Sequence, residues 1–299
     1  MVVKLNNTHL NILASYAYLG KSKTFSDALI NQSQLGTMNV MLDSGAFTLF
    51  NAKQKREWLT LDNYCQYIDK YGHLIEKYVM LDVIGNDEAS KDNYEIMIKR
   101  DLNPMFVFTM ADNDYNYLKD ATKKNQHICV AGGVTTKGDW IKKRFQDVYK
   151  HTNGLIHGLG YVSYPAMYQL PIHSVDSSSW IQSSQVYGIL SYFDDGMKGV
   201  AYKDVLRKVK KLPIQLIKLL EELKINPKQF SNLDNHKGAR SIAALINLVS
   251  YLKYQKYSKR LGINLFLAIN NVRSINDILF VNQEYNQGTL NFSKWQKLK

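Results

Sequence analysis

Residues 77–84, Lys-Tyr-Val-Met-Leu-Asp-Val-Ile, form a short apolar run that contains one carboxylate. A run of this length and character is typical of a parallel strand that is buried on both faces. Similar runs occupy residues 11–18, 39–43, 105–108, 127–131, 154–160 and 172–176, and a weaker eighth run lies at 186–193. Segments with helical spacing of apolar residues lie between them, for example at 58–68 and 94–98.

This alternation of strands and helices predicts an α/β fold. About eight such units in about 200 residues favour a (β/α)8 TIM-like barrel, although a doubly wound open sheet would produce a similar pattern. We expect residues 1–202 to form the barrel core that carries the active site. Residues 203–223 and 239–261 are predicted to be long basic amphipathic helices, and residues 203–299 to form a helical extension packed on the barrel.

The composition indicates a globular protein with a substantial core, because 45% of the residues are hydrophobic and 21% are charged. Lys and Arg outnumber Asp and Glu by 38 to 26, which gives a net charge of +12. Such an excess favours a polyanionic partner, with nucleic acid as the leading candidate. The lysines are dispersed, however, so a basic surface without such a partner is also compatible with the sequence.

Neither a membrane-spanning helix nor a secretory leader is indicated. No run approaches about 18 consecutive apolar residues, and the first residues, Met1 to Asn7, lack an apolar core. We therefore expect no membrane association and a cytoplasmic location, which is the host cytoplasm if a phage encodes the protein. Cys65 and Cys129 fall in a predicted helix and a predicted strand, so we expect two reduced core thiols.

Three of the predicted strands end on a carboxylate: Asp43, Asp82 and Asp176. In a parallel barrel the chemistry lies at the carboxyl ends of the strands, so we expect these side chains at one mouth. An unpaired carboxylate directly after a buried strand is energetically costly, which indicates hydrogen-bonded or reactive groups. Each residue taken alone could equally cap the helix that follows it.

Two other strand ends are rich in glycine, at Gly132-Gly133 and at Gly158-Leu159-Gly160. Glycine lets a planar ligand approach the backbone closely and accept hydrogen bonds from its N–H groups. Neither segment has the glycine pattern of a dinucleotide-binding or phosphate-binding loop. No nucleotide cofactor is therefore indicated.

Five short motifs follow one another along the chain. They are Asp-Ser-Gly-Ala-Phe at 43–47, Leu-Asp at 81–82, Gly-Gly at 132–133, Gly-Leu-Gly at 158–160 and Val-Asp at 175–176. In this order they resemble the tRNA-guanine transglycosylase superfamily, and most closely its phage and bacterial branch, which inserts 7-deazaguanines into DNA. The resemblance implies a guanine transglycosylase that modifies DNA with a 7-deazaguanine base. We expect the reaction to require neither a metal nor a nucleotide cofactor.

The resemblance also implies roles for single residues. Asp176 corresponds to the nucleophile that attacks the anomeric carbon of the sugar, and Asp43 corresponds to the acid/base that handles the proton of the base. Asp82 corresponds to the carboxylate that accepts hydrogen bonds from N1–H and the exocyclic amine of guanine. The residues implied to bind the base are Ser44, Phe47, Gly132 and Gly133.

Base exchange with retained configuration suits these residue types independently of the resemblance. Two successive displacements need a carboxylate nucleophile that holds the sugar covalently. A second carboxylate must protonate the leaving base and deprotonate the incoming base. A third can accept the paired donors of guanine. Because the reacting bond lies inside a stacked duplex, the target nucleotide must be flipped out or supplied single-stranded.

The sequence departs from the tRNA enzymes in the region after the barrel. Those enzymes carry a structural zinc ion bound by three Cys and one His, whereas no cysteine follows Cys129 in this chain. A basic helical ending with Lys253, Lys256, Lys259 and Arg260 takes its place and suits a regular phosphate backbone. We therefore expect DNA rather than tRNA as the partner.

Some positions near the expected site have more than one interpretation. Thr48 stands where the family often has Gln, and residues 177–180, Ser-Ser-Ser-Trp, replace an arginine-bearing segment. His157 and His173 flank the expected site, although a histidine on a buried strand is more often a core residue. Trp180 could pack under the nucleophile loop or stack on a flipped base.

Two other functions remain open at this point. One is a catalytically silent nucleic-acid-binding subunit that assists a partner, and the presence of both Asp43 and Asp176 argues against it. The other is an unrelated barrel enzyme whose acidic mouth binds a divalent metal and a small molecule. A homodimer or a complex with a partner subunit is compatible with each of these functions.

Overall fold

The computed structural model describes residues 10–52, 56–131, 138–161, 169–194, 196–207, 212–226 and 241–298. The chain divides into two compact units, each of which is discontinuous in sequence. The first comprises Met1–Val162, Ala166–Asp176 and Gly262–Val272, and the second comprises Ser163–Pro165, Ser177–Leu261 and Arg273–Lys299. This division differs from a boundary at residue 202, because residues 177–202 belong to the second unit and residues 262–272 belong to the first.

The described residues contain ten strands. They are β1 (Leu10–Ser15), β2 (Met38–Asp43), β3 (Lys77–Tyr78), β4 (Phe106–Thr109), β5 (His127–Ala131), β6 (Leu155–Gly158), β7 (Ile172–Ser177), β8 (Ile189–Phe193), β9 (Met197–Ala201) and β10 (Asn264–Ile269). Eight of them form one sheet in the order β3-β2-β1-β10-β7-β6-β5-β4, and its paired strands run parallel. The other two, β8 and β9, form a separate antiparallel pair.

The two edges of the large sheet are joined to each other. Val79, directly after β3, forms a parallel bridge with Met105, directly before β4. The amide of Met105 donates to the carbonyl of Tyr78 at 2.8 Å, and the amide of Met80 donates to the carbonyl of Met105 at 3.0 Å. The predicted (β/α)8 TIM-like architecture is therefore confirmed, and the doubly wound open sheet is excluded.

The eighth barrel strand is β10. The run at 186–193 does contain a strand, β8, but the prediction that this strand completes the barrel was wrong. β10 lies between β1 and β7 in the sheet, where Leu267 pairs with Ile12 of β1. Within 186–193, β8 instead pairs with β9. The reason is a tight turn in which the amide of Asp194 donates to the carbonyl of Gly196 at 2.8 Å. This turn returns the chain as a hairpin, whereas a parallel neighbour requires a long crossover.

Thirteen α-helices are described. They are α1 (Tyr16–Leu19), α2 (Lys23–Gln34), α3 (Ala46–Phe50), α4 (Leu61–Tyr71), α5 (Asp87–Lys99), α6 (Tyr115–Lys124), α7 (Gly138–Thr152), α8 (Ser179–Gln185), α9 (Tyr202–Arg207), α10 (Ile214–Glu222), α11 (Ile242–Arg260), α12 (Val272–Asn286) and α13 (Phe292–Lys297). Local sequence sets several of their starts. The Thr60 hydroxyl, for example, accepts the amide N–H of Asn63 and caps α4.

The core of the first unit lies in the barrel and under its helices. β1 is buried at all six positions, as expected for a strand that is covered on both faces. In α4 the buried residues Tyr64, Cys65 and Ile68 follow helical spacing, and the Tyr64 hydroxyl donates to the carbonyl of Val79 at 2.7 Å. Cys65 and Cys129 are buried free thiols, which confirms that prediction.

The second unit contains α11, which is not the amphipathic helix predicted for residues 239–261. Every residue from Ile242 to Leu252 is buried, because the apolar side chains surround the helix on all sides. The buried Asn247 is satisfied by β8: its amide donates to the carbonyl of Ile189 and its oxygen accepts from the amide of Ser191. No helix in the described part of the chain is long and apolar enough to cross a membrane.

The basic end of α11 also differs from the predicted phosphate-tracking surface. Lys253 lies 2.6 Å from the carboxylate of Glu222, and Lys256 lies 2.5 Å from the side-chain oxygen of Asn286. Lys259 and Arg260 are exposed in the last turn. Two of the four expected phosphate ligands therefore already have partners within the protein.

The predicted helix at 203–223 is two helices, α9 and α10. Pro213 directly precedes α10 and cannot continue a preceding helix, because its nitrogen carries no hydrogen and its φ is fixed. Pro at a helix start is favourable for the same reason. The run at 203–223 was therefore predicted as one helix although a new helix begins after Pro213.

Candidate active site

Three carboxylates lie at the carboxyl end of the barrel strands in the first unit. Asp43 is the last residue of β2, Asp82 follows β3 within a few residues, and Asp176 is near the end of β7. All three carboxylates lie close enough to the buried thiol of Cys129 to affect its pKa. Burial raises the pKa of the Cys129 thiol well above its ordinary value, and the charges of all three carboxylates raise it further. The common effect on Cys129 agrees with the prediction that the three carboxylates lie at one end of the barrel.

Asp43 is held by the turn that connects β2 to α3. The amide of Gly45 donates to Oδ2 of Asp43 at 3.0 Å, and Ser15 lies beside Asp43 in the register of β1 and β2. Burial raises the pKa of Asp43 above its usual value, and the neighbouring Asp176 carboxylate raises it further. The Ser15 hydroxyl and the Gly45 amide oppose this shift, because both stabilise the charged form.

Asp82 is an acid whose protonation changes near neutral pH. Burial raises its pKa to about 7, and the nearby Asp43 carboxylate contributes in the same direction. Hydrogen bonds fix the backbone on either side: the side chain of Asn93 donates to the carbonyl of Leu81, and the amide of Val83 donates to the hydroxyl of Ser90. Asp82 can therefore donate a hydrogen bond below this pH and accept a pair of them above it.

Asp176 is buried and held through one of its two oxygens. The amide of Gly160 donates to Oδ1 of Asp176 at 2.6 Å, and Nε2 of His157 lies 3.4 Å from the same oxygen. Within the described ranges, no hydrogen bond is donated to Oδ2 of Asp176. Oδ1 of Asp176 is thus anchored by a backbone amide.

Ser44 and Phe47, the predicted base-binding side chains, have different environments. Ser44 is fully buried beside Asp43, and its hydroxyl has no hydrogen-bond partner within the described part of the chain. A buried hydroxyl without a partner is costly and suits a ligand that completes it. Phe47 is 71% exposed on α3, so most of its ring is accessible to a ligand. Gly132 and Gly133 lie outside the described residues.

The remaining predicted residues fall into different places. His157 lies beside Asp176, as described above. Trp180 is buried within the second unit, on α8. The prediction that His173 flanks the site was wrong. His173 contacts His127, the first residue of β5, with ring centroids 5.4 Å apart, and it is close to Lys77, the first residue of β3. Its side chain therefore belongs to the amino end of the barrel.

The sequence interpretation missed two groups near the carboxylates, Ser15 and Ser174, and it assigned the amide of Gly160 to a ligand rather than to Asp176. Ser15 ends the β1 run just as Asp43 ends the β2 run, so aligning the two run ends would have paired them. Ser174 precedes Asp176 by two positions on β7, which places both on the same face of a strand. The amide of Gly160 could not be found in this way, because its direction depends on the loop after β6.

An exposed aromatic face adjoins the turn that holds Asp43. It consists of Phe47 and Phe50 on α3, which are 71% and 63% exposed, together with the half-buried Trp58. The indole N–H of Trp58 donates to the carbonyl of Ala17 in α1, which connects it to the chain segment after β1. The cationic groups of Lys21 and Arg56 lie 5.9 Å and 5.5 Å from the Trp58 ring centre. Aromatic rings and cations are therefore combined at this end of the barrel.

In the ranges that the structure describes, no three His, Cys, Asp or Glu side chains are grouped closely enough to hold a metal ion. The chemistry that the described arrangement offers is proton transfer and nucleophilic attack by carboxylates.

Comparisons with known proteins leave the family open. No protein-family model and no curated protein sequence matches the chain. One solved structure from Aquifex aeolicus, described as "Structural study of Project ID from Aquifex aeolicus VF5", is similar with a TM-score of 0.33 and 11% sequence identity. The similarity covers 48% of this chain and 53% of that one, so the chain spans about half the length of the structure it matches. A likeness of this extent carries no information about function.

Proposed function

We propose that the protein is a transglycosylase that exchanges guanine in DNA for a 7-deazaguanine base through a covalent aspartyl-sugar intermediate. The observation that carries the proposal is the difference between two carboxylates at one barrel mouth. Asp176 has one oxygen anchored by the amide of Gly160, whereas burial and the charge of Asp176 raise the pKa of Asp43. The first arrangement suits a nucleophile and the second suits a proton donor.

In this mechanism Asp176 attacks the anomeric carbon and holds the sugar as an ester. Asp43 gives its proton to the departing guanine and takes a proton from the incoming base. The raised pKa of Asp43 supports this double task, because an acid that also serves as a base works best when its pKa lies near the working pH. Retention of configuration follows from the two successive displacements.

Recognition of guanine is assigned to Asp82 and Ser44. Above its pKa of about 7, Asp82 accepts the two adjacent donors of guanine, N1–H and the exocyclic amine. The buried Ser44 hydroxyl gains the partner that it lacks within the described residues. Adenine offers no matching pair of donors and would leave the carboxylate unsatisfied, which supports selectivity for guanine.

A nucleic acid is supported as the partner by charge and by the aromatic face. The net charge of +12 favours binding to phosphates, and aromatic rings beside cations suit unstacked bases. DNA is preferred to tRNA because only two cysteines are present, so the three-Cys zinc site of the tRNA enzymes cannot form. The partly neutralised end of α11 adds little to this preference.

The test is incorporation of a labelled 7-deazaguanine into three polymers of matched sequence: duplex DNA, single-stranded DNA and a tRNA. All are measured at one salt concentration, because binding to phosphates depends steeply on salt. We expect labelling of DNA. Preferential labelling of tRNA would overturn the choice of DNA, and no labelling of any polymer would overturn base exchange itself.

A further inference from the structure

His157 has one ring nitrogen in a hydrogen bond and the other close to the proposed nucleophile. Nδ1 lies 2.8 Å from the hydroxyl oxygen of Ser174. Nε2 is buried without a hydrogen-bond partner within the described ranges, and it lies 3.4 Å from Oδ1 of Asp176. The His157 side chain is 1% exposed, so bulk water does not reach it. The mechanism proposed above assigns no role to the contact between His157 and Asp176.

We infer that Ser174 and His157 are positioning residues that make Asp176 a better leaving group in the second displacement. The inference rests on the proposed transglycosylase function. It states that these two residues shorten the lifetime of the covalent intermediate. Neither residue is required to touch the substrate. Both act through the Oδ1 atom of Asp176, which also accepts the amide N–H of Gly160.

The contacts determine where the imidazole proton resides. A ring nitrogen that faces a carboxylate oxygen is favourable when it carries the proton, so Nε2 is the N–H group and Nδ1 is the acceptor. The Ser174 hydroxyl then donates to Nδ1 and selects this tautomer. The ring of Phe266 meets the imidazole edge to face, with centroids 6.2 Å apart, and restricts its rotation.

The effect of these residues on the two displacements depends on where negative charge develops in each. In the first displacement an oxygen of Asp176 bonds to the anomeric carbon, and guanine leaves with the electrons of the C–N bond and a proton from Asp43. In the second, the incoming base forms a new C–N bond and loses its proton to Asp43, while the electrons of the C–O bond return to Asp176. Donors at Oδ1 stabilise the charge that returns, so they favour the second step over the first.

The test compares His157→Leu, which removes the N–H donor, with His157→Gln, which keeps an amide donor of similar reach. Covalent protein–DNA adduct is trapped by denaturation in single-turnover reactions, and the rates of its formation and decay are fitted separately. We expect His157→Leu to lower the ratio of decay to formation about 10-fold or more, because no N–H group then stabilises the charge that returns to Asp176. The adduct should therefore accumulate, and His157→Gln should restore most of the ratio.

Ser174 supplies a second pair of variants. Ser174→Ala should change the ratio in the same direction as His157→Leu by a smaller factor, and Ser174→Thr, which keeps the hydroxyl, should resemble the wild type. A purely structural role predicts a different outcome, in which both rates fall together and the adduct does not accumulate. That outcome, with thermal unfolding used to confirm that the variants are folded, would overturn the inference.

A readout without substrate separates this inference from the proposed function. ¹⁵N NMR of the histidine side chains should show His157 with its proton on Nε2, and Ser174→Ala should populate the other tautomer. A His157 proton on Nδ1 in the wild type would overturn the inference even if base exchange occurs. If the wild type forms no adduct with any nucleic acid, the proposed function fails, while the NMR result still decides the pairing of His157 with Asp176.

Discussion

Gly45 lies directly against Ala17, where the start of α3 meets α1. A Cβ atom added to Gly45 would be 2.7 Å from the Cβ of Ala17 and 3.0 Å from its backbone nitrogen. Gly45 also has a φ of 90°, which side-chain-bearing residues rarely adopt. Because the amide of Gly45 donates to Asp43, this close approach fixes the position of a proposed catalytic group.

Gly45→Ala should therefore destabilise the fold. The strained backbone and the overpacking against Ala17 together predict a loss of about 2–5 kcal/mol in the free energy of unfolding. The control is Gly36→Ala, since Gly36 also has a positive φ, of 67°, but has no neighbouring atom within 4 Å of an added Cβ. Urea denaturation of both variants checks the prediction, which requires a clearly larger loss for Gly45→Ala than for Gly36→Ala.

Asp82→Asn should reduce the pH dependence of stability. The Asp82 carboxyl has a pKa of about 7 in the folded protein against an ordinary value of 3.8, so the folded state binds more protons than the unfolded state between these values. Protonated Asp82 therefore contributes stability at low pH that is lost as the pH rises through the folded pKa, with a slope of at most about 1.4 kcal/mol per pH unit.

The Asn side chain cannot ionise, so the variant should gain stability relative to the wild type above about pH 7. Denaturation curves at several pH values check this expectation. Asp120→Asn is the control, because Asp120 is 67% exposed in an ion pair with Lys123 and should alter the pH profile little. An unchanged profile in Asp82→Asn would contradict the assignment of a raised pKa to Asp82.

Asp176→Ala should abolish base exchange while the fold and DNA binding are retained. Without the carboxylate no ester to the sugar can form, so the covalent band on a denaturing gel should disappear. Asp92→Ala, at an exposed position of α5, is the matched control and should keep the band. A covalent band that survives in Asp176→Ala would remove this residue from the nucleophilic role.

Asp43→Asn should slow base exchange by about 10²–10⁴-fold, because the departing guanine loses its proton donor. Unlike Asp176→Ala, this variant keeps the nucleophile, so some covalent intermediate should still be trapped. Turnover measured from about pH 6 to about pH 9 checks the assignment. Near wild-type rates across that range would show that another group carries the proton.

Phe50→Ala and Trp58→Ala should each weaken binding of single-stranded DNA. Stacking of a base on an aromatic side chain contributes about 1–3 kcal/mol, which corresponds to roughly 5-fold to 150-fold in affinity. Leu35→Ala is the control: Leu35 is 71% exposed but precedes β2, at the amino end of the barrel. Fluorescence anisotropy with a labelled oligonucleotide measures all three, and equal losses at Leu35 would refute a specific aromatic face.

The strand-end carboxylates could be predicted from the sequence because two regularities act together. Buried parallel strands are recognisable as apolar runs, and the carboxyl ends of such strands share one end of a barrel. Asp43, Asp82 and Asp176 each end or closely follow such a run, so their shared location required no knowledge of the loops. The roles of the three residues are a separate matter and still rest on the proposed function.

The misplaced eighth strand and the misjudged helix have a common cause. The run at 186–193 and that at 264–269 are both apolar and strand-length, and only long-range pairing decides which one joins β1. Similarly, α11 carries lysines at its end that suggested a solvated face, whereas tertiary packing buries the residues from Ile242 to Leu252. Local pattern identifies an element, but its neighbours depend on contacts that are distant in sequence.

The position of β10 has a consequence for the order in which the protein can be completed during translation. Seven barrel strands leave the ribosome before the strand that separates β1 from β7 has been synthesised. Until Asn264–Ile269 emerges, the facing edges of β1 and β7 expose unpaired backbone groups, which readily pair with strands of other chains. A nascent or truncated chain that stops before this strand is therefore expected to depend on chaperones, whereas a single late segment completes the barrel.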